Sequence, residues 1–132
     1  PALLSAVMQE LIVEGVMPDF NTLVRAMKGH WSAWHKEKKR WTDKVALLST
    51  AARLRPYEVP VRVEMTHYSR DRRRDPDGIR TVASKFILDG LVVAGVLPDD
   101  SQRWVLGFSD FFEIDKERPR VVVRLWPQEE TR

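Results

Sequence analysis

The sequence contains no cysteine. That excludes a disulfide scaffold, a thiolate zinc site and a cysteine nucleophile together, and it is compatible with a reducing cytosol. No apolar run approaches the roughly 18 residues that a membrane span needs. P-loop and GxGxxG glycine patterns are missing, as is any Ser-His-Asp arrangement. His30, His35 and His67 lack metal-ligand spacing and read as surface or core residues. The opening Pro1-Ala2-Leu3-Leu4-Ser5-Ala6-Val7-Met8 has no basic n-region and is not read as a signal peptide.

What remains is a chain of 132 residues, 43% hydrophobic and 31% charged, enough for one domain with a real core and a solvated surface. The net charge of +3 is a hint of an anionic partner. Its distribution says more, because basic residues crowd at Lys36 to Lys44 and at Arg70 to Arg74.

Gln9 to Met17 is short, apolar and β-branched and predicts a strand ending at Pro18. Pro18-Asp19-Phe20-Asn21 reads as a turn in which Asn21 caps the next segment. Thr22 to Leu48 reads as helix interrupted by Gly29, with Trp31, Trp34, Trp41 and Val45 at helical spacing and basic residues between them. The tryptophans could stack on bases, though core packing is their commoner use. Val59 to Tyr68 alternates, with Val61, Val63, Met65 and His67 on one side of a half-buried strand. A charged loop follows, and from Ile79 a second helix carries an apolar stripe of Ile79, Val82, Ala83, Phe86, Ile87, Gly90, Val93 and Ala94, closed by Gly95. Leu88 and Val92 lie off that stripe and predict either a second layer inside the monomer or a dimer contact. Arg103 to Ile114 and Arg120 to Trp126 are two strand-like runs joined by Asp115-Lys116-Glu117-Arg118-Pro119 as a hairpin turn. The fold class is therefore α+β, a single small domain of residues 1–132 with a mixed sheet and two main helices in the order β-α-β-α-β-β, residues 1–8 and 127–132 being frayed.

The chemistry concentrates around the second helix. Asp75 and Asp77 sit at its start and Asp99-Asp100 follow its end. The ends of a helix of roughly 16 residues lie ~24 Å apart, so the two acidic pairs meet only if the later loop folds back or a second copy supplies it. Clustered carboxylates repel unless a cation neutralises them, and oxygen-only ligands favour Mg²⁺ beside phosphate. The plainer alternative is that Asp75 opens a turn, Asp77 caps the helix and Asp99-Asp100 cap a short turn. Arg72, Arg73 and Arg74 read either as a solvated charge run or as forked phosphate holders. Lys85 and Asp89 are either a helix ion pair or, for Lys85, a stabiliser of charge at a phosphate.

Three segments together carry a resemblance: Arg70-Asp71-Arg72-Arg73-Arg74-Asp75-Pro76-Asp77-Gly78, then Lys85-Phe86-Ile87-Leu88-Asp89-Gly90-Leu91-Val92, then Ala94-Gly95-Val96-Leu97-Pro98-Asp99-Asp100-Ser101. Roughly residues 9 to 126 resemble the RusA family of Holliday-junction resolvases, in particular its phage and prophage branch. Pro18-Asp19-Phe20-Asn21 stands where that family has a Pro-x-x-Asn turn before a basic helix. The resemblance implies an α+β homodimer that cuts four-way DNA junctions with Mg²⁺, for which Mn²⁺ can substitute, in the cytoplasm of a bacterial or phage-infected cell. It implies metal-holding, catalytic roles for Asp75, Asp77 and Asp100, a catalytic role for Lys85, and DNA contact by Arg74. Gly78 departs from the pattern, standing where Asn is usual and lacking its amide.

The expectation is thus a Mg²⁺-dependent, structure-selective endodeoxyribonuclease, with Asp75, Asp77, Asp100 and Lys85 as its site and with Arg72, Arg73, Arg74, Lys36, Lys39 and Asn21 on DNA. Asp89 and Asp99 are unassigned. A non-catalytic binder of branched or single-stranded DNA on the same scaffold is the alternative, and a small protein-interaction domain a third.

Overall fold

A computed structural model describes residues 7–128. The readings of residues 1–6 and 129–132, an apolar start that is not a signal peptide and frayed ends, lie outside the described residues. The elements are β1 (Gln9–Glu14), α1 (Phe20–Met27), α2 (Ser32–Ala51), β2 (Val61–Ser69), α3 (Pro76–Val93), β3 (Val105–Ile114) and β4 (Arg120–Pro127). The architecture is α+β, with a four-stranded mixed sheet in the order β1-β4-β2-β3. The interruption at Gly29 is real: Lys28 (φ 44°) and Gly29 (φ 87°) are both left-handed, which ends α1 and re-aims α2. Gly95 (φ 78°) closes α3 in the expected way.

The alternation of β2 is borne out. Val61, Val63, Met65 and His67 are buried, as are Val121, Val123 and Leu125 of β4 and Leu11 and Val13 of β1. The apolar members of this set form one core with Val82, Phe86, Ile87 and Leu91 of α3 and Trp41 and Val45 of α2. The other face of the sheet is mixed, with Ile12, Phe111 and Trp126 exposed on it, and is crossed by a row in which Arg124 bonds Glu10 at 3.0 Å and Glu64 at 2.9 Å. Such one-sided burial is what largely antiparallel sheets tolerate. Gly90 sets the helix layer. A Cβ there would stand 2.5 Å from Val45 Cβ, so α2 and α3 cross at a distance that only glycine permits. Leu88 is buried within the single chain and Val92 packs against the core, which favours the second-layer reading over a dimer contact. Val93, placed on the stripe, is exposed at the helix end. Trp41 is buried, Trp34 packs on Phe86 with centroids 5.3 Å apart, and Trp31 is exposed.

Two expectations are corrected here. The 115–119 segment does not close a hairpin. β2 and β3 are joined through α3 and pair in parallel, as a crossover connection allows. β4 therefore pairs antiparallel with β2 on its other side. The link crosses the end of β2, where Asp115 N–H donates to the Ser69 carbonyl at 2.9 Å. The last strand also extends to Pro127, opposite Val61, rather than fraying there.

Candidate functional site at the start of the third helix

Asp75 is the N-cap of α3. Pro76 follows in the first turn, where its missing N–H has no partner to lose. Asp75 Oδ1 accepts from Gly78 N–H at 2.7 Å, and Oδ2 accepts from Asn21 Nδ2 at 3.0 Å. The capping role expected of Asp77 thus belongs to Asp75. Asn21 is likewise not a cap: Asp19 caps α1, accepting from Thr22 N–H at 2.7 Å. Its position inside the first turn of α1 frees the Asn21 amide to reach across to α3.

Arg74 makes that reach possible. Its guanidinium donates to the Met17 carbonyl at 2.9 Å and to Ser69 Oγ at 3.4 Å, and it lies 3.9 Å from Asp19. One side chain therefore ties the turn before α1 to the loop before α3. Arg74 is a clamp within the fold, whereas Arg72 and Arg73 are exposed. Arg73 N–H closes a turn on Asp71 Oδ1 at 2.9 Å, and its guanidinium is 3.9 Å from the other oxygen.

Phe20, Asn21, Asp75, Asp77, Gly78 and Thr81 line a cleft of about 200 Å³. Asp77 points outward, its side chain 86% exposed, with Arg80 Nη1 at 3.6 Å from Oδ1. Each Asp75 oxygen accepts one hydrogen bond and keeps another lone pair. The pair fits a hard cation that takes one or two carboxylates and retains its waters. Gly78 contributes closeness: a Cβ there would come within 3.0 Å of Asp75 Oδ2.

Asp100 is not in this cleft. It lines a separate depression of about 400 Å³ with Asp89, Asp99, Lys38 and Thr42. Lys85 Nζ lies 3.1 Å from Asp89 and 3.6 Å from Asp100, and Lys38 Nζ lies 3.6 Å from Asp89. The Asp89 carboxylate, which bonds it, raises the pKa of Lys85. Lys85 sits ten residues beyond Asp75, about 15 Å along the helix axis. The loop after α3 folds back only to mid-helix. Among the described residues no three His, Asp or Glu side chains converge as a metal-binding group. Asp99 accepts from Ser101 N–H at 2.8 Å, and the serine bonds lower its pKa.

Of the other expected DNA contacts, Lys36 is exposed on α2, and Lys39 is exposed and paired with Asp43 at 2.9 Å. Arg40 is similarly paired with Glu37 at 3.6 Å. Exposed pairs of this kind are weak and leave the helix surface basic overall.

Sequence reasoning missed Arg80, Asp110 and the use of His67. His67 is buried, and its Nε2 lies 2.8 Å from Asp110 Oδ1. Asp110 Oδ2 accepts from Arg80 Nε at 3.1 Å. The one signal available was an isolated acid inside the aromatic run Phe108-Ser109-Asp110-Phe111-Phe112. Neither a scan against protein-family models nor a search of curated proteins finds a match to this chain.

Proposed function

We propose that this protein is a Mg²⁺-dependent, structure-selective endodeoxyribonuclease acting on four-way or otherwise branched DNA. The observation that carries the reading is the paired carboxylates Asp75 and Asp77 on the first turn of α3, sharing one cleft with Asn21. They lie within the first of the three segments that in combination resemble the RusA family.

When bound, Mg²⁺ supplies charge neutralisation and an activated water for attack on a phosphodiester. The chain's own residues do the positioning. Gly78 N–H and Asn21 fix the Asp75 carboxylate, so that its remaining lone pairs hold one orientation. Asp77 offers a solvent-facing carboxylate beside it. Arg72 and Arg73 hold the polyanion at the mouth, and the basic surface of α2, Lys36 and Lys39 included, extends the contact. Lys85 on α3 and Asp100 in the loop after it form a second patch. A two-fold dimer would supply two equivalent sites for strands cut in opposed positions, and could carry the Asp100 loop of one copy toward the cleft of the other.

The separation of Asp100 from Asp75 and Asp77 favours a second reading, a non-catalytic binder of branched or single-stranded DNA. A cleavage assay on a synthetic four-way junction with Mg²⁺, run beside Asp75→Asn, decides between them. Nuclease action predicts cutting by the wild type and none by the variant. Binding without cutting by the wild type gives the binder reading, and undiminished cutting by Asp75→Asn refutes the site.

A further inference from the structure

The His67–Asp110–Arg80 chain is not explained by stability. His67 Nδ1 is buried and has no hydrogen-bond partner among the described residues. Leaving a buried polar atom unpaired is costly, and an apolar residue at this point of β2 would avoid the cost. Ion pairs sunk beside a core are weak grounds for stability in any case. What the chain does achieve is aim. An ionised Asp110 is only an acceptor, so His67 Nε2 donates to Oδ1 while Arg80 Nε donates to Oδ2. His67 is itself held by stacking on Phe112, with centroids 5.0 Å apart. Burial opposes ionisation of Asp110, but the bonds from His67 and Arg80 outweigh it and hold the carboxyl below its ordinary range.

Arg80 thereby has its plane fixed through one nitrogen. Nη1 lies 3.6 Å from Asp77, and neither Nη1 nor Nη2 makes a hydrogen bond among the described residues. The side chain is 38% exposed, at the edge where Asp77 emerges. A planar guanidinium anchored at Nε, with Nη1 beside Asp77 but beyond hydrogen-bond distance of it, keeps its outer N–H groups for two oxygens of a phosphodiester.

We propose that Arg80 is a phosphate-gripping residue of this site, and that the buried His67 and the half-buried Asp110 are positioning residues that set its fork. The proposal rests on the nucleic-acid reading above and adds to it which guanidinium meets the phosphate and why it is rigid.

The test is binding of a four-way DNA junction in Ca²⁺ buffer over a salt series, on the full chain, with folding checked by circular dichroism. Arg80→Ala is expected to weaken binding about tenfold at low salt and to lower the slope of log affinity against log salt by about 0.9, one phosphate contact. Arg80→Lys keeps the charge but not the fork, and is expected to recover little of the affinity. Asp110→Asn is expected to weaken binding in the same direction, and the double variant Arg80→Ala with Asp110→Asn to bind no worse than Arg80→Ala alone, which a purely structural role would not produce. Unchanged slope and affinity in Arg80→Ala, with wild-type binding intact, overturns the proposal and leaves the nucleic-acid reading standing. Absence of wild-type binding at low salt removes that reading and the proposal with it. Should Asp110→Asn fail to fold, the comparison of Arg80→Lys with Arg80→Ala decides: full recovery by lysine overturns the fork.

Discussion

The two halves of α3 use the same kinds of residue in opposite ways. At its start, Asp75 is bonded by a backbone N–H and by Asn21, and Arg74 and Arg80 are anchored on a carbonyl and on a half-buried carboxylate. Toward its end, Lys38, Lys85, Asp89 and Asp100 meet as side-chain ion pairs, three of the four at least two-fifths exposed. The first arrangement has orientation fixed by backbone geometry. The second has charge in roughly the right place and little else, because long side chains in water lose entropy on pairing and gain little. Pre-organisation belongs to the N-terminal half.

The hardest break lies near the end of α3, where it crosses α2. Gly90→Ala would drive a Cβ into Val45 and the Thr42 carbonyl. It should cost about 2–3 kcal/mol as overpacking, despite a gain in helix propensity, measured by urea denaturation. Next comes Arg74→Ala, which removes the clamp between the two loops. A charge-assisted bond to a carbonyl is worth about 1.5–3 kcal/mol, and a half-buried one should fall near the lower figure. The Asn21 amide resonance should also lose its protection in NMR.

Asp75 separates capping from charge. Asp75→Ala should cost about 1 kcal/mol as a lost N-cap, while Asp75→Asn caps equally well and should melt within a few tenths of a kcal/mol of wild type yet fail to cut DNA. The acid limb of stability sharpens the contrast further. Asp110 has its folded pKa held below the unfolded one, so its contribution is present above the ordinary carboxylate range and is lost as pH falls through the folded value. Asp110→Asn should flatten the stability–pH profile at its acid end. The smallest effect belongs to the exposed half: Lys85→Ala should change stability by less than about 0.5 kcal/mol. A larger loss would mean that the second patch is as organised as the first.

Much of this was readable from the chain. The alternation through Val61, Val63, Met65 and His67 marked a half-buried strand, since a period of two can serve only one face. The stripe through Val82, Phe86 and Ile87 marked the buried side of α3. Strand order was not readable. Four charged residues and a proline between two strands look like a hairpin whether or not a third strand already occupies the space between them, and β2 occupied it through the crossover. The caps slipped for a local reason: Asp19 and Asn21, like Asp75 and Asp77, are equally good candidates by type, and backbone dihedrals chose between them. Arg80 and Asp110 were invisible because the bond joins residues 30 apart in sequence, on a helix and on an edge strand.

By itself the sequence determined which residue types stand together on a short stretch: acids at a helix start, arginines before them, and an apolar stripe behind, because these follow from spacing along one backbone. Which carboxylate caps, which arginine is locked inward and which faces the solvent, and how far Asp100 returns along α3 were decided by the packing of separate segments, since distances between elements are set by the core they share and not by the chain that links them.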